Sequence, residues 1–265
     1  MCRWMAYSGP PIFLDKVLFD GENSLVDQSL HARWSNVVTN GDGFGIGWYG
    51  QRGKPGLYRD VLPAWNDENL REVAEQVQAR LFFAHVRAAT GESATARQNC
   101  HPFRHRKWMF MHNGAIADFP SLRRELDLAI PEGLYRHKKG TTDSETIFYL
   151  LLANGLADDP GAAYASTVGL IEEVMAAGGV DGPFRFAAIA TDGQRIVAIR
   201  YSSDRQSPSL FYGLSVGGEE QSVMIMSEPP DEDVGHWEEV PEASIIFAGD
   251  GALNVEKFMV VCRPT

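Results

Sequence analysis

The chain is short of cysteine, short of basic charge relative to acidic, and without a long apolar run, and each shortage removes a class of protein. Three cysteines in 265 residues, Cys2, Cys100 and Cys262, are too few and too scattered for a disulfide framework. Residues Met1 to Pro10 lack the charged-then-apolar order of a secretory signal and run into what reads as a strand, so the start is expected to belong to the fold. Few cysteines and no signal together point to a reducing cytoplasm. Hydrophobic residues make up 44% of the chain, yet no run approaches a membrane span, so a soluble globular protein with no membrane partner is expected. Twenty-four Lys and Arg face 35 Asp and Glu, and the formal charge of -11 disfavours a nucleic-acid partner. Internal repeats, low-complexity tracts and Pro/Ser linkers are absent as well. One domain over residues 2–265 is the simplest reading.

What is present is periodic pattern. Leu70, Val73, Ala74 and Val77 fall at helical spacing after Asn66-Asp67 and predict a helix over about 67–80. Leu81 to Arg87 and Trp108 to His112 read as compact apolar strands, the second ending at Asn113-Gly114. Further helices are predicted at about 120–128, 143–154 and 161–177, with Thr141-Thr142 capping the second. Phe184 to Ala190 and Arg195 to Tyr201 flank Asp192-Gly193, a hairpin signal. More strands are expected at 210–214, 222–227, 244–248 and 255–261. This order suggests sheets packed with helices, and layering alone does not choose between one sheet and two.

Five segments carry candidate chemistry. Removal of Met1 would leave Cys2 with a free α-amine, and that amine (reference pKa about 7.7–8.0) can accept a proton from the thiol (about 8.5) without a separate histidine. The plainer alternative is a small buried residue opening a strand. Arg87, in His85-Val86-Arg87-Ala88-Ala89-Thr90-Gly91, can fork onto a substrate carboxylate or pair with an internal acid. His112-Asn113-Gly114 offers a side-chain amide and an unhindered backbone N–H to an oxyanion, or is an ordinary Asn-Gly turn. Asp143, in Thr142-Asp143-Ser144-Glu145, either binds an ammonium or caps a helix. Gly41 to Tyr49 and Asn99 to Phe103 frame these segments. The alternating glycines of Gly41 to Tyr49 are read as close backbone approach rather than phosphate binding.

In their order, an N-terminal Cys, His-x-Arg-x-x-Thr, His-Asn-Gly and a later Asp-Ser-Glu, these motifs resemble the glutaminase domain of class II glutamine amidotransferases over roughly residues 2–145. Met226-Ser227-Glu228-Pro229-Pro230 looks like the stand-alone bacterial branch, which includes γ-glutamyl hydrolases of the ergothioneine pathway and relatives of a glutathione-degrading amidotransferase subunit. The resemblance implies an α+β fold, a four-layer αββα sandwich of the N-terminal-nucleophile type with two mainly antiparallel sheets. It implies Cys2 as nucleophile, forming a γ-glutamyl thioester, with its amine as base and Asn113 and Gly114 as oxyanion hole. Arg87 would hold the substrate carboxylate and Asp143 its ammonium, with Thr90 and Gly91 lining the carboxylate end and His112 in the same substrate-binding set. No cofactor or metal is implied. The substrate would be glutamine or another γ-glutamyl compound, with the ammonia released or handed to a separate subunit.

Two positions depart from the pattern. Many synthase-linked members have Trp after the arginine and His after the threonine, where this chain has Ala88 and Gly91, so neither the Trp lid nor tight coupling to a synthase is implied. Three alternatives stand beside this reading: a Cys-nucleophile acylase for cholate- or penicillin-type amides, a metal protein built on Cys100, His101, His105 and His112, and a silent binding subunit. The acylases lack the paired later motifs. The metal spacing is poor, because Cys100 and His101 point apart on a strand and Pro102 interrupts the His101–His105 pair. The intact candidate residues oppose the silent subunit.

Overall fold

Strand β1 (Arg3–Phe13) shows by its alternation how the layers form. Trp4 and Ala6 enter one apolar cluster, while Met5 and Tyr7 enter another on the opposite face. Downstream come α1 (Asp15–Leu18), α2 (Leu25–Leu30), β2 (Phe44–Trp48), β3 (Gly56–Asp60), α3 (Glu68–Gln76) and β4 (Gln78–Val86). The central stretch holds β5 (Phe103–His105), β6 (Trp108–Ile116), α4 (Phe119–Leu128), α5 (Glu132–Tyr135), α6 (Asp143–Ala153) and α7 (Pro160–Ala177). Strands β7 (Phe184–Thr191), β8 (Ile196–Ser202), β9 (Phe211–Ser215), β10 (Ser222–Met226), β11 (Trp237–Glu239), β12 (Ser244–Gly249) and β13 (Ala252–Lys257) complete the order. This computed structural model describes residues 2–33, 39–89, 95–215, 221–231, 236–249 and 252–260.

Two antiparallel sheets result, a seven-stranded one in the order β11-β9-β10-β1-β4-β2-β3 and a six-stranded one in the order β13-β12-β8-β7-β6-β5. Trp4, Phe83, Met109, Met111, Ile189 and Ile225 fill the space between them. On the outer face of the larger sheet, Phe82, Ala84 and Phe44 pack on residues of α1, α2 and α3. On the outer face of the smaller sheet, Phe110 and Phe186 pack on Phe148 of α6, Tyr164 of α7 and Leu126 of α4. The architecture is therefore the expected αββα sandwich. Among the described residues no helix is long and apolar enough to cross a membrane.

The alternating glycines of β2 follow from this layering. A Cβ on Gly45 would lie 2.0 Å from the carbonyl oxygen of His101, and one on Gly47 would lie 2.5 Å from Met109 Sδ, so side chains on that face have no room between the sheets. The other face of β2, with Phe44 and Ile46, is free to fill the helical side.

Several predicted boundaries shift. The first long helix stops at Gln76, because Val77 turns extended (φ -92°, ψ 117°) and the chain enters β4 at Gln78. The last strand lies at Ala252–Lys257 rather than 255–261, paired along β12 from Gly249 back to Ser244. Strand β6 does not end at Asn113-Gly114 but runs on to Ile116, with Asn113 opposite Ala187 and Gly114 opposite Phe186. The Asp192-Gly193 hairpin forms as expected, with Gly193 at φ +94° and Asp192 Oδ1 accepting the N–H groups of Gln194 and Arg195.

Candidate active site

Cys2 enters the site because β1 and β4 run antiparallel with Arg3 opposite Val86, which brings the start of one strand beside the exit of the other. The Cys2 thiol lies 3.5 Å from the carbonyl oxygen of Ala88, to which it donates. From the facing sheet, β6 brings His112 and Gly114, and the first turn of α6 brings Asp143. Cys2, Arg87, His112, Gly114, Thr142 and Asp143 line one cavity of about 530 Å³.

Arg87 follows β4 and is fixed along its backbone. Its N–H donates to Gly43 O at 2.8 Å, and its carbonyl accepts from Asp42 N at 3.0 Å. Its Nη1 donates to Asp42 O at 3.3 Å, and Asp42 Oδ2 accepts the Ala89 N–H at 2.8 Å. The Gly41 to Tyr49 segment thus shapes the arginine's surroundings without being a ligand cradle. Thr90 and Gly91, expected at the carboxylate end, lie outside the described residues.

Asn113 faces the space between the sheets, on the same alternation as Met109 and Met111. It is 1% exposed, and among the described residues neither atom of its side-chain amide meets a hydrogen-bond partner. A buried amide left so costs stability unless something else satisfies it, which suits a donor waiting for a ligand oxygen. Gly114 stands at φ +149°, and a Cβ there would fall 1.9 Å from Arg185 O. The Asn-Gly pair is therefore held inside a strand and does not form a turn.

Asp143 bridges β6 and α6. Its Oδ2 accepts the Ile116 N–H at 3.0 Å and its Oδ1 the Ser144 N–H at 2.7 Å. The helix cap is Thr142, whose hydroxyl accepts the Glu145 N–H at 3.3 Å, so capping does not explain Asp143. His112 is buried against protein on both ring nitrogens: Nε2 lies 3.3 Å from Arg185 O and Nδ1 lies 2.9 Å from Ser144 Oγ. Since a carbonyl only accepts, Nε2 carries a proton toward Arg185, while the single proton of the Ser144 hydroxyl lies between Nδ1 and Asp143 Oδ1, which is 3.2 Å from the same Oγ. Burial lowers the His112 pKa, opposed by the charge of Asp143. Burial raises that of the Cys2 thiol, an effect that Arg87 opposes and Asp143 reinforces. One sulfur therefore feels both the cation and the anion of the candidate clamp.

Sequence reasoning gave no place in the amidotransferase-like site to several supporting groups. Asn99 exchanges bonds with Thr141, its Oδ1 accepting Thr141 N–H at 2.9 Å and its Nδ2 donating to Thr141 Oγ1 at 3.2 Å, which anchors the approach to α6. His101 lines the cavity and stacks on His85 at 4.1 Å between ring centroids. Arg3 and Glu228 form a fully buried ion pair beside Cys2. The unusual Ser-Glu-Pro-Pro segment was the available signal for the last of these. Among the described residues no group of three or more His, Cys, Asp or Glu is placed to hold a metal ion.

The family model for class-II glutamine amidotransferases matches residues 22–212. The chain belongs to this family. Among relatives of this amidotransferase, it is similar to the probable glutamine amidotransferase DUG3 of Saccharomyces cerevisiae, with 30% identity over 308 aligned positions that cover 100% of this chain and 84% of the yeast protein. It is also similar to the γ-glutamyl-hercynylcysteine sulfoxide hydrolase of Mycolicibacterium smegmatis, with 28% identity covering 96% of this chain and 99% of that one. Among solved structures, a glutamine aminotransferase class-II domain protein from Silicibacter pomeroyi superposes with a TM-score of 0.76 at 37% identity, covering 97% of this chain and 99% of that chain.

Proposed function

We propose that this amidotransferase hydrolyses the γ-amide of a γ-glutamyl compound through a thioester on Cys2. The observation that carries the reading is the placement of the Cys2 sulfur within the fields of both Arg87 and Asp143, in a cavity that also exposes Gly114. Once Met1 is removed, the α-amine of Cys2 takes the thiol proton, directly or through one water, and the thiolate attacks the γ-carbonyl carbon. Negative charge develops on the carbonyl oxygen, where Asn113 Nδ2 and the Gly114 N–H donate to it. The amine returns its proton to the leaving nitrogen, the C–N bond breaks, and the thioester remains. Water, deprotonated by the same amine, then attacks the thioester and frees glutamate and the thiol. Arg87 forks onto the α-carboxylate and Asp143 accepts from the α-ammonium.

The cavity supports a substrate larger than glutamine. At about 530 Å³ it falls in the range that holds drug-sized ligands, and beyond Gly114 it runs over Ala117, Phe119 and Pro120 to Arg123. The name of the mycobacterial relative, a γ-glutamyl hydrolase, agrees with such a substrate. In the larger sheet β1, from the start of the chain, pairs with β10, Met5 opposite Met226, which supports reading residues 2–265 as one amidotransferase domain.

The test is a substrate panel: glutamine, several γ-glutamyl amides, glutaramide and N-acetylglutamine, with Arg87→Met and Asp143→Asn beside the native enzyme. N-acetylglutamine lacks the ammonium alone and glutaramide lacks both charges, so kcat/KM should fall by about two decades or more for N-acetylglutamine and further for glutaramide. Asp143→Asn should reproduce the loss seen with N-acetylglutamine, and Arg87→Met should add the further loss seen with glutaramide. Equal cleavage of glutamine and N-acetylglutamine, with Asp143→Asn silent, would overturn the clamp.

A further inference from the structure

A terminal nucleophile has no upstream chain to hold it, so whatever grips its own carbonyl sets where its sulfur and amine stand. In this chain Arg3 Nη1 donates to the Cys2 carbonyl oxygen at 3.0 Å, while Nε of the same guanidinium donates to Glu228 Oε2 at 3.1 Å. Both side chains of the ion pair are 0% exposed. Glu228 is itself fixed, since its Oε1 accepts from Asn23 Nδ2 at 3.2 Å and from the Arg33 N–H at 3.0 Å. Around it, Trp4 N donates to Ser227 Oγ at 3.1 Å and Ser227 N donates to Trp4 O at 2.9 Å. Asn23 Nδ2 also donates to Pro229 O at 2.6 Å, and Gln28 Nε2 donates to Glu228 O at 3.1 Å. The α1–α2 connection, the Ser-Glu-Pro segment and the start of β1 thus meet on one carboxylate.

We propose that Glu228, acting through Arg3, is the positioning residue for the nucleophile: a buried clamp that fixes the Cys2 carbonyl and thereby aims the sulfur at the substrate carbonyl. A planar guanidinium is suited to this role, because it presents donors to the carboxylate and to the peptide oxygen in one rigid fork, which a lysine does not reproduce. The inference rests on Cys2 being the nucleophile. Glu228 touches neither substrate nor sulfur, so its effect belongs to the chemical step, with the Arg87 and Asp143 clamp on the substrate left as it was.

The experiment compares Glu228→Gln, Arg3→Lys and Asn23→Ala with the native enzyme. It measures kcat and KM on the best γ-glutamyl amide, the rate at which a saturating glutamine-like chloroketone alkylates Cys2, and folded state by circular dichroism at the assay temperature. Displacement of a reacting group by about 1 Å costs roughly 10²-fold, so Glu228→Gln and Arg3→Lys should lower kcat by about that factor, with KM within about twofold. The limiting alkylation rate should fall in parallel, and Asn23→Ala should show a smaller loss of the same kind. A folded Glu228→Gln or Arg3→Lys protein with native kcat and native alkylation rate overturns the proposal, as does a loss confined to KM. If Glu228→Gln does not fold, Arg3→Lys and Asn23→Ala decide by the same readouts. Failure of the nucleophile assignment looks different, since Cys2→Ala would then stay active or the native protein would escape alkylation at Cys2.

Discussion

Asn113 is the residue where physical cost and proposed chemistry coincide most closely. Its amide is buried without a partner among the described residues, while its neighbour Gly114 takes a backbone conformation that a side chain would block. An oxyanion donor acts mainly on the tetrahedral state, so Asn113→Ala should lower kcat by roughly 10²–10³ with little change in KM. Steady-state kinetics on a γ-glutamyl amide checks this, and an effect on KM alone would make Asn113 a wall of the pocket. His112, placed with the substrate-binding residues from sequence, lines the cavity while both its ring nitrogens meet protein atoms. Its place is between Arg185 and Ser144, where it aligns β6 with the first turn of α6. That role was not legible in the His-Asn-Gly motif, because Ser144 and Arg185 become its neighbours only when helix and strand pack.

At the scale of elements, long periodic segments were legible and short ones were not. Helices α4, α6 and α7 and strands β7, β8 and β10 fall close to their predicted places, since several turns or alternations carry the pattern. Helices α1 and α5 have four residues each, and β5 and β11 three each, which is too little for any period to show. Of these, β5 is held by its hairpin partner β6, with His105 opposite Trp108, and β11 by β9, with Trp237 opposite Gly213. The glycines of β2 were assigned correctly to close packing, and they give a direct test. Placing a Cβ at Gly45 meets the His101 backbone, which unlike a flexible side chain has little freedom to yield. Gly45→Ala should therefore destabilise the protein by about 3 kcal/mol or more, an overpacking cost measurable by urea unfolding. A loss below about 0.5 kcal/mol would show that the two sheets separate more easily than their packing implies.

Across the whole molecule, the site is assembled from segments far apart in the chain, and this bounds what sequence alone reveals. Motif order pointed to Cys2, Arg87, His112, Asn113, Gly114 and Asp143, and all of these but Asn113 line the cavity. The Arg3–Glu228 pair spans 225 positions and had no periodic or motif signal joining its halves. The buried histidines also set a property of the whole fold. Burial holds His85 at about 3 and pushes His101 down as well, so both stay neutral in the folded chain while the unfolded chain titrates near 6.5. Falling pH protonates the unfolded chain first, so stability present above about pH 6.5 is lost progressively toward pH 3. His85→Phe removes one such group, and between about pH 5.5 and 4 the slope of unfolding free energy against pH should flatten by about 1.4 kcal/mol per unit. Urea titrations across that range test this; parallel slopes would mean that His85 takes up its proton in the folded state.

The central claim is that Cys2 acts with its own free amine, and intact-protein and peptide mass spectrometry after treatment with a glutamine-like electrophile tests it most directly. The expected result is a mature chain beginning at Cys2 that carries one adduct on the Cys2 sulfur, with activity lost in proportion to labelling. Fully active protein that retains Met1, or an inactivating adduct on Cys100, would contradict it.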